Sequence, residues 1–336
     1  MINYLVKGLS ASAIALSAMA STATAADRVL TVSHWAGPNH AMATTVFPWM
    51  NDELSACSGG SLTLKIENGL APPPAQYDTI RDGVADIGWI VHGYTPGKFK
   101  TTKMIELPGT SGNAEQMSVA FQSTHEKYLA AVGEAKGVQV LTNFVHGPGN
   151  INSVKELSSL ADMNGMKMRV GGGVANNVGT ALGVAGVNVP APAVYETIAS
   201  GVADGVFFPM ETLFSFKISE LVKHVYTNPD GIYTTSFAII MNDDVYDELD
   251  DAQQACVDGM RGVEMARSVG AFWDEADRVG LEQVIAAGVE VHELSADQRA
   301  FFKDATSGIE ADVLAEVDSR GINGQEALDY MRSMLP

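Results

Sequence analysis

Apolar positions along this chain fall into short continuous runs and longer stretches with a helical repeat. Val29 to Val32 is the first short run; it reads as a strand entering the loop Ser33-His34-Trp35-Ala36-Gly37-Pro38. From about Asn39 to Ala56, the residues Met42, Val46, Met50 and Leu54 share one helical face, and Gly59-Gly60 ends the pattern. Ser61 to Glu67 alternates as a half-covered strand does. Beyond the proline-rich loop Leu70-Ala71-Pro72-Pro73-Pro74, a helix is predicted through Arg81, with Gly83 as its cap. Ile87 to Val91 is apolar throughout, the signature of a strand buried on both faces. Strands alternating with helices predict an α/β architecture.

The segment Ile80-Arg81-Asp82-Gly83-Val84-Ala85-Asp86 recurs as Ile198-Ala199-Ser200-Gly201-Val202-Ala203-Asp204. The echo is either reuse of one helix cap or the mark of two similar lobes. In the second case each lobe carries a loop at the carboxyl end of a strand, where open α/β sheets bind ligands. The last third differs: Asp250 to Gly288, containing Trp273, is largely helical, and a second helical stretch runs from Ser295 to about Ser319. Such helices suit the bracing of two lobes. No low-complexity linker separates the lobes, so the chain is expected to cross between them more than once. The boundaries read as residues 27–146 with 236–275 for lobe I, and 147–235 with 276–336 for lobe II.

Residues 1–25 carry one basic residue, Lys7, then an apolar run from Leu9 to Ala20, and close on Ala23-Thr24-Ala25. This is the layout of a secretory signal peptide, and no later segment is apolar enough to span a membrane. The mature protein is therefore expected to be soluble outside the cytoplasm. Losing Lys7 takes the net charge from −19 to −20, which makes nucleic acid and anionic lipid surfaces poor partners. A small anion would need a local cation in a specific pocket. Cys57 and Cys256 have no CxxC neighbour or metal-type spacing. An oxidising compartment permits a bridge between them, and the sequence leaves the pairing open.

No GxSxG elbow, HExxH, P-loop or dinucleotide-binding glycine fingerprint is present, so neither an enzyme, a cofactor nor a metal is expected. Arg169 stands out instead, in the apolar segment Met166-Lys167-Met168-Arg169-Val170 ahead of Gly171-Gly172-Gly173. A guanidinium inside a lobe needs a partner. Either an internal carboxylate or the carboxylate or sulfonate of a ligand would serve. Trp35, Trp89, Tyr94, Phe144, Phe207 and Phe208 lie at strand ends, where they either pack the core or line an apolar cleft. His92 and His146 occupy similar loops, with His146-Gly147-Pro148-Gly149-Asn150 a polar turn suited to donating hydrogen bonds.

At these residues the chain resembles the DctP-type substrate-binding proteins of tripartite ATP-independent periplasmic (TRAP) transporters, over nearly its whole mature length. The resemblance is carried by Ser33-His34-Trp35, Asp82-Gly83-Val84-Ala85-Asp86 and Leu160-Ala161-Asp162-Met163-Asn164-Gly165-Met166-Lys167-Met168-Arg169-Val170, the last like the family's D-x-x-G-x-K-x-R-V segment. Val194-Tyr195-Glu196, Gly201-Val202-Ala203-Asp204-Gly205 and Met241-Asn242 extend it. It implies a two-lobed, type II-like α/β binding protein with its cleft between the lobes and a long bracing helix. It also implies a small organic anion as ligand, a membrane permease as partner, and Arg169 as the residue that pairs with the ligand carboxylate. A monomer is expected.

One departure bears on the ligand. Where sialic-acid-type relatives carry Q-E-N, this chain has Val206-Phe207-Phe208, with Phe208 in place of the asparagine. Sugar hydroxyls would there face a ring and lose their hydrogen bonds. The expected ligand is a small monocarboxylate, an aromatic acid such as a hydroxybenzoate first, with aliphatic 2-oxo or 2-hydroxy acids and small sulfonates behind it. Arg169 is expected to clamp the anionic head while Trp35, Trp89, Tyr94 and Phe208 enclose the body. Glu211 or His146 is expected to meet a distal polar group. A sensor partner or a periplasmic enzyme on the same scaffold are the alternatives from other classes.

Overall fold

The computed structural model describes residues 27–336; the leader read at 1–25 lies outside the described residues. The first strands in chain order are β1 (Arg28–His34), β2 (Leu62–Asn68), β3 (Ile87–Val91) and β4 (Val138–Val145). Then come β5 (Asn150–Ser153), β6 (Lys167–Val170), β7 (Ala185–Asn188), β8 (Gly205–Phe208) and β9 (His224–Thr227). The last two are β10 (Ser236–Asn242) and β11 (Glu290–Glu293). They form two sheets, in the orders β2-β1-β3-β10-β4 and β11-β9-β5-β8-β6-β7.

The apolar runs become the centre of each sheet. Every residue of β3 and β10 is buried, and the two pair antiparallel from Phe237 opposite Val91 to Met241 opposite Ile87. Met42, Val46, Met50 and Leu54 are all buried, as their spacing predicts, although a π-helical turn (Met42–Val46) precedes the regular helix Phe47–Cys57. The first strand continues through the predicted loop residues Ser33 and His34, because they pair with Glu67 and Asn68 of β2. The stretch after Ser295 is two helices, Ala296–Thr306 and Ile309–Asp318, and a further helix, Gly324–Arg332, follows.

The sequence echo is a structural one. Gly83 and Gly201 both take positive φ, 70° and 74°. Beyond them, Asp86 accepts the Thr31 amide at 2.6 Å while Asp204 accepts the Lys167 amide at 3.0 Å. Each aspartate thus fastens the start of one strand to its parallel neighbour, β3 to β1 and β8 to β6. The two sheets share this local plan, and both direct the carboxyl ends of these strands towards the space between them.

The chain passes between the sheets at residues 146–149, at residues 228–235 and along the 24-residue helix Val263–Ala286. That helix is about 36 Å long at 1.5 Å per residue. It holds one helix on each side through acids one turn apart. Asp274 accepts the amides of Ala114 and Glu115, which open the helix Ala114–Thr124, at 2.6 and 3.1 Å. Asp277 accepts the Glu211 amide at 2.8 Å, at the start of the helix Met210–Ser215. Both carboxylates satisfy amides that a helix start leaves unpaired. Cys57 and Cys256 form a disulfide, with Cα atoms 5.7 Å apart, joining the helices Phe47–Cys57 and Asp251–Gly259. The C-terminal helices share a core with segments from both sides, including Met104, Phe121, Val170, Val174, Ile309 and Val313. Among the described residues, no helix is long and apolar enough to cross a membrane.

Candidate functional site

Between the sheets lies a cavity of about 40 Å³ whose wall is mostly aromatic. Six of the seven predicted site residues line it: Trp35, Trp89, Tyr94, His146, Arg169 and Phe208. Trp35 and Trp89 stack with centroids 4.1 Å apart and planes within 15°. Their N–H groups are both spent, Trp35 Nε1 on the Trp89 carbonyl and Trp89 Nε1 on His34 Nδ1, each at 3.1 Å. The pair is therefore a fixed, flat, apolar wall rather than a polar contact surface.

Arg169 is 2% exposed and faces that wall from β6. Its Nε donates to the Val189 carbonyl at 2.9 Å, Nη2 to the Tyr94 hydroxyl at 2.8 Å, and Nη1 makes a long 3.5 Å contact with the Phe207 carbonyl. The guanidinium lies over the Phe208 ring, 4.6 Å from its centroid. Among the described residues no carboxylate lies within ion-pair distance of it. A buried cation held by neutral groups alone carries a desolvation penalty that an anion would relieve. The internal ion pair that the sequence left open is not formed.

Two neighbours carry unused hydrogen-bonding capacity. The Tyr94 hydroxyl accepts from both Arg169 and the Ala191 amide, at 3.0 Å, so its own proton remains to donate. Trp273, on the long helix, also lines the cavity, and its indole N–H is buried without an acceptor among the described residues. His146 is held neutral: burial first, and the nearby Arg169 charge as well, push its pKa down to about 4. Its Nδ1 lies 3.3 Å from the Thr234 hydroxyl, and its ring meets Tyr233 edge-on. Burial also pushes the Tyr233 phenol up, so it stays protonated.

Glu211 does not line the cavity. Its carboxylate sits behind the wall, 3.6 Å from Nε2 of His40, and Oε2 is buried without a hydrogen bond. Burial pushes Glu211 up to about 7 and His40 down to about 3, so both tend to the neutral form. His92 and Phe144 lie in the packed interior, His92 against Phe99 with Nδ1 3.1 Å from Ser236 Oγ. Sequence reasoning missed Tyr233, Trp273 and His40 on the wall: Trp273 sits in the stretch read as a brace, His40 at the start of a helix, and Tyr233 in a segment that carried no motif. It also missed Glu106, whose signal was an acid within the apolar run Met104-Ile105-Glu106-Leu107. That carboxylate is buried between the sheets and accepts Ser236 N at 2.9 Å, Ser236 Oγ at 2.6 Å and Val174 N at 2.9 Å.

Residues 32–316 match the bacterial extracellular solute-binding proteins of family 7, DctP. A TRAP periplasmic solute-binding protein from Bordetella bronchiseptica, solved with bound (R)- and (S)-mandelate, is 33% identical. It superposes with a TM-score of 0.88, covering 91% of this chain and 98% of its own. A marine metagenome TRAP solute-binding protein specific for aromatic acid ligands, solved with 3-hydroxybenzoate, is 32% identical at a TM-score of 0.87, covering 92% and 98%. TsaT of Comamonas testosteroni, described as an outer membrane transporter protein, is 26% identical over 329 residues, 96% of each chain. The chain belongs to family 7 of the bacterial extracellular solute-binding proteins, the DctP-type periplasmic receptors that bind small organic acids and work with TRAP membrane permeases.

Proposed function

We propose that this receptor captures a small aromatic monocarboxylate, a hydroxybenzoate-like acid, for its permease. The observation that carries the reading is Arg169: a buried guanidinium with no acidic partner among the described residues, beside a stacked Trp35–Trp89 wall. Its fork takes the ligand carboxylate with two parallel hydrogen bonds, and the free Tyr94 proton adds a third. The rings of Trp35, Trp89 and Phe208 enclose the flat body, and the unpaired Trp273 N–H suits a hydroxyl on the ring. Mandelate and 3-hydroxybenzoate in the two structural relatives support the same class. The reading takes residues 27–146 with 236–275, and residues 147–235 with 276–336, as the bodies that close on the ligand. It takes the exported protein to act as a monomer that returns its ligand unchanged.

Thermal unfolding of the mature protein against aromatic acids, aliphatic oxo and hydroxy acids, sulfonates and sugar acids tests it. A ligand at ~100 times its dissociation constant stabilises by about 2.7 kcal/mol, a clear rise in midpoint. The expected result is a rise confined to aromatic carboxylates, lost in Arg169→Ala and weakened in Arg169→Lys, which keeps the charge but not the fork. A rise with aliphatic acids or sulfonates alone overturns the ligand class, and none with any small anion overturns the binding role.

A further inference from the structure

We propose that His224, Glu290 and His292 form a surface site for a borderline divalent transition-metal ion, Zn²⁺ first, which ties the edge strand β11 to β9. This inference is independent of the ligand reading. The parallel pairing sets Glu290 opposite His224 and His292 opposite Tyr226. Residues two apart on a strand project to the same side, so all three side chains meet on one face. Their ligand atoms lie within 4.8 Å of one another: His224 Nδ1 to His292 Nε2 is 3.2 Å, and a Glu290 oxygen lies 3.9 and 3.6 Å from them. Four-coordinate zinc, with bonds of about 2.0–2.1 Å, spaces its ligand atoms about 3.3 Å apart. The three atoms thus already approximate one face of a tetrahedron, leaving the fourth corner to water.

The rings are held for this task. His292 stacks on Tyr226, centroids 5.0 Å apart and planes within 20°, and His224 stacks on His292 at 5.4 Å and 28°. The Tyr226 hydroxyl is itself fixed, accepting the Leu157 amide at 2.6 Å. Two imidazoles and one carboxylate suit zinc, copper or nickel, and not the all-oxygen shells of calcium or magnesium. The proton between the two rings moves to the far nitrogen of the ring that donates it, and both facing nitrogens are then free to bind the ion. The ion then holds β11, the strand that follows the long helix, against the second sheet.

Untagged mature protein, stripped with chelator, is titrated with ZnCl₂ by calorimetry and with Co²⁺ by visible absorption. The expected result is one saturable equivalent, the intense visible band of four-coordinate cobalt, and a higher unfolding midpoint with Zn²⁺. His292→Ala and Glu290→Gln each weaken uptake at least about tenfold, while Arg169→Ala leaves it unchanged. The glutamine variant keeps the test open should the alanine variant fail to fold. Absence of saturable uptake, or one equivalent that survives both substitutions unaltered, would overturn the assignment.

Discussion

Tyr94 and Arg169 meet between the two sheets: Nη2 of the arginine donates to the tyrosine hydroxyl at 2.8 Å, from β6 to the turn after β3. The contact aligns the guanidinium from the opposite side of the cleft. In Tyr94→Phe, Arg169 keeps the Val189 carbonyl and the Phe208 ring, but the phenol proton is gone. Titration calorimetry with an aromatic acid is expected to show a loss of about 1–1.5 kcal/mol, roughly tenfold in affinity. Unchanged affinity would make the hydroxyl a purely internal contact.

Gly172 marks where the two sides touch backbone to backbone. Its φ is +83°, and a Cβ there would stand 2.4 Å from the Gly93 carbonyl oxygen. Gly172→Ala is expected to lower intrinsic stability by about 1–3 kcal/mol, because φ +83° with ψ −172° is a conformation essentially confined to glycine. Its effect on ligand affinity is expected to be larger, tenfold or more, because the methyl obstructs closure. Small-angle scattering with saturating ligand would then report a larger radius than for the parent protein; an equal radius and affinity would refute the steric argument.

Much of this arrangement is legible in the sequence, for local reasons. Ile87–Val91 reads as a buried strand because every residue is apolar, and the Met42–Leu54 face follows from spacing alone. Arg169 is conspicuous because a cation in an apolar run needs an explanation. What escapes is set by tertiary closure. Asp277 looks like a surface acid until the fold brings the Glu211 amide to it. His224 and His292 stand 68 residues apart and meet only through the β9–β11 register. Glu211, near the Phe207-Phe208 segment in sequence, leaves the cavity because its helix turns it towards His40.

The disulfide closes a loop of 199 residues. On the chain-entropy account a loop of that length restricts the unfolded state by about 5 kcal/mol. Paired Cys57→Ser and Cys256→Ser substitutions, followed by urea unfolding at fixed pH, are expected to lower stability by a few kcal/mol. Ligand affinity should stay within about twofold, because both cysteines lie in helices outside the cavity wall. A large fall in affinity would mean that the bridge shapes the cleft rather than the unfolded chain.

Glu211 gives the protein a pH dependence of definite sign. Burial holds its carboxyl at about 7, above the ordinary 4.5, and it faces His40 and, through the helix start, Asp277, itself pushed up by burial to about 8. A raised carboxyl binds its proton more tightly in the folded state, so its contribution is full below pH 4.5 and is lost as pH rises through 7. Glu211→Gln removes that loss and also relieves Asp277 of a neighbouring negative charge. At 1.36 kcal/mol per pKa unit, the substitution should stabilise the protein by about 2 kcal/mol more at pH 8 than at pH 5. Urea unfolding of parent and variant at the two pH values measures this difference. The five histidines pulled below their ordinary 6.5, the buried His34, His40, His92 and His146 and the half-buried His125, cost stability as pH falls below 6.5. They are common to both proteins and largely cancel in the comparison, save His40, which faces the substituted side chain. An equal effect of the substitution at both pH values would mean that Glu211 titrates in the folded protein as it does in water.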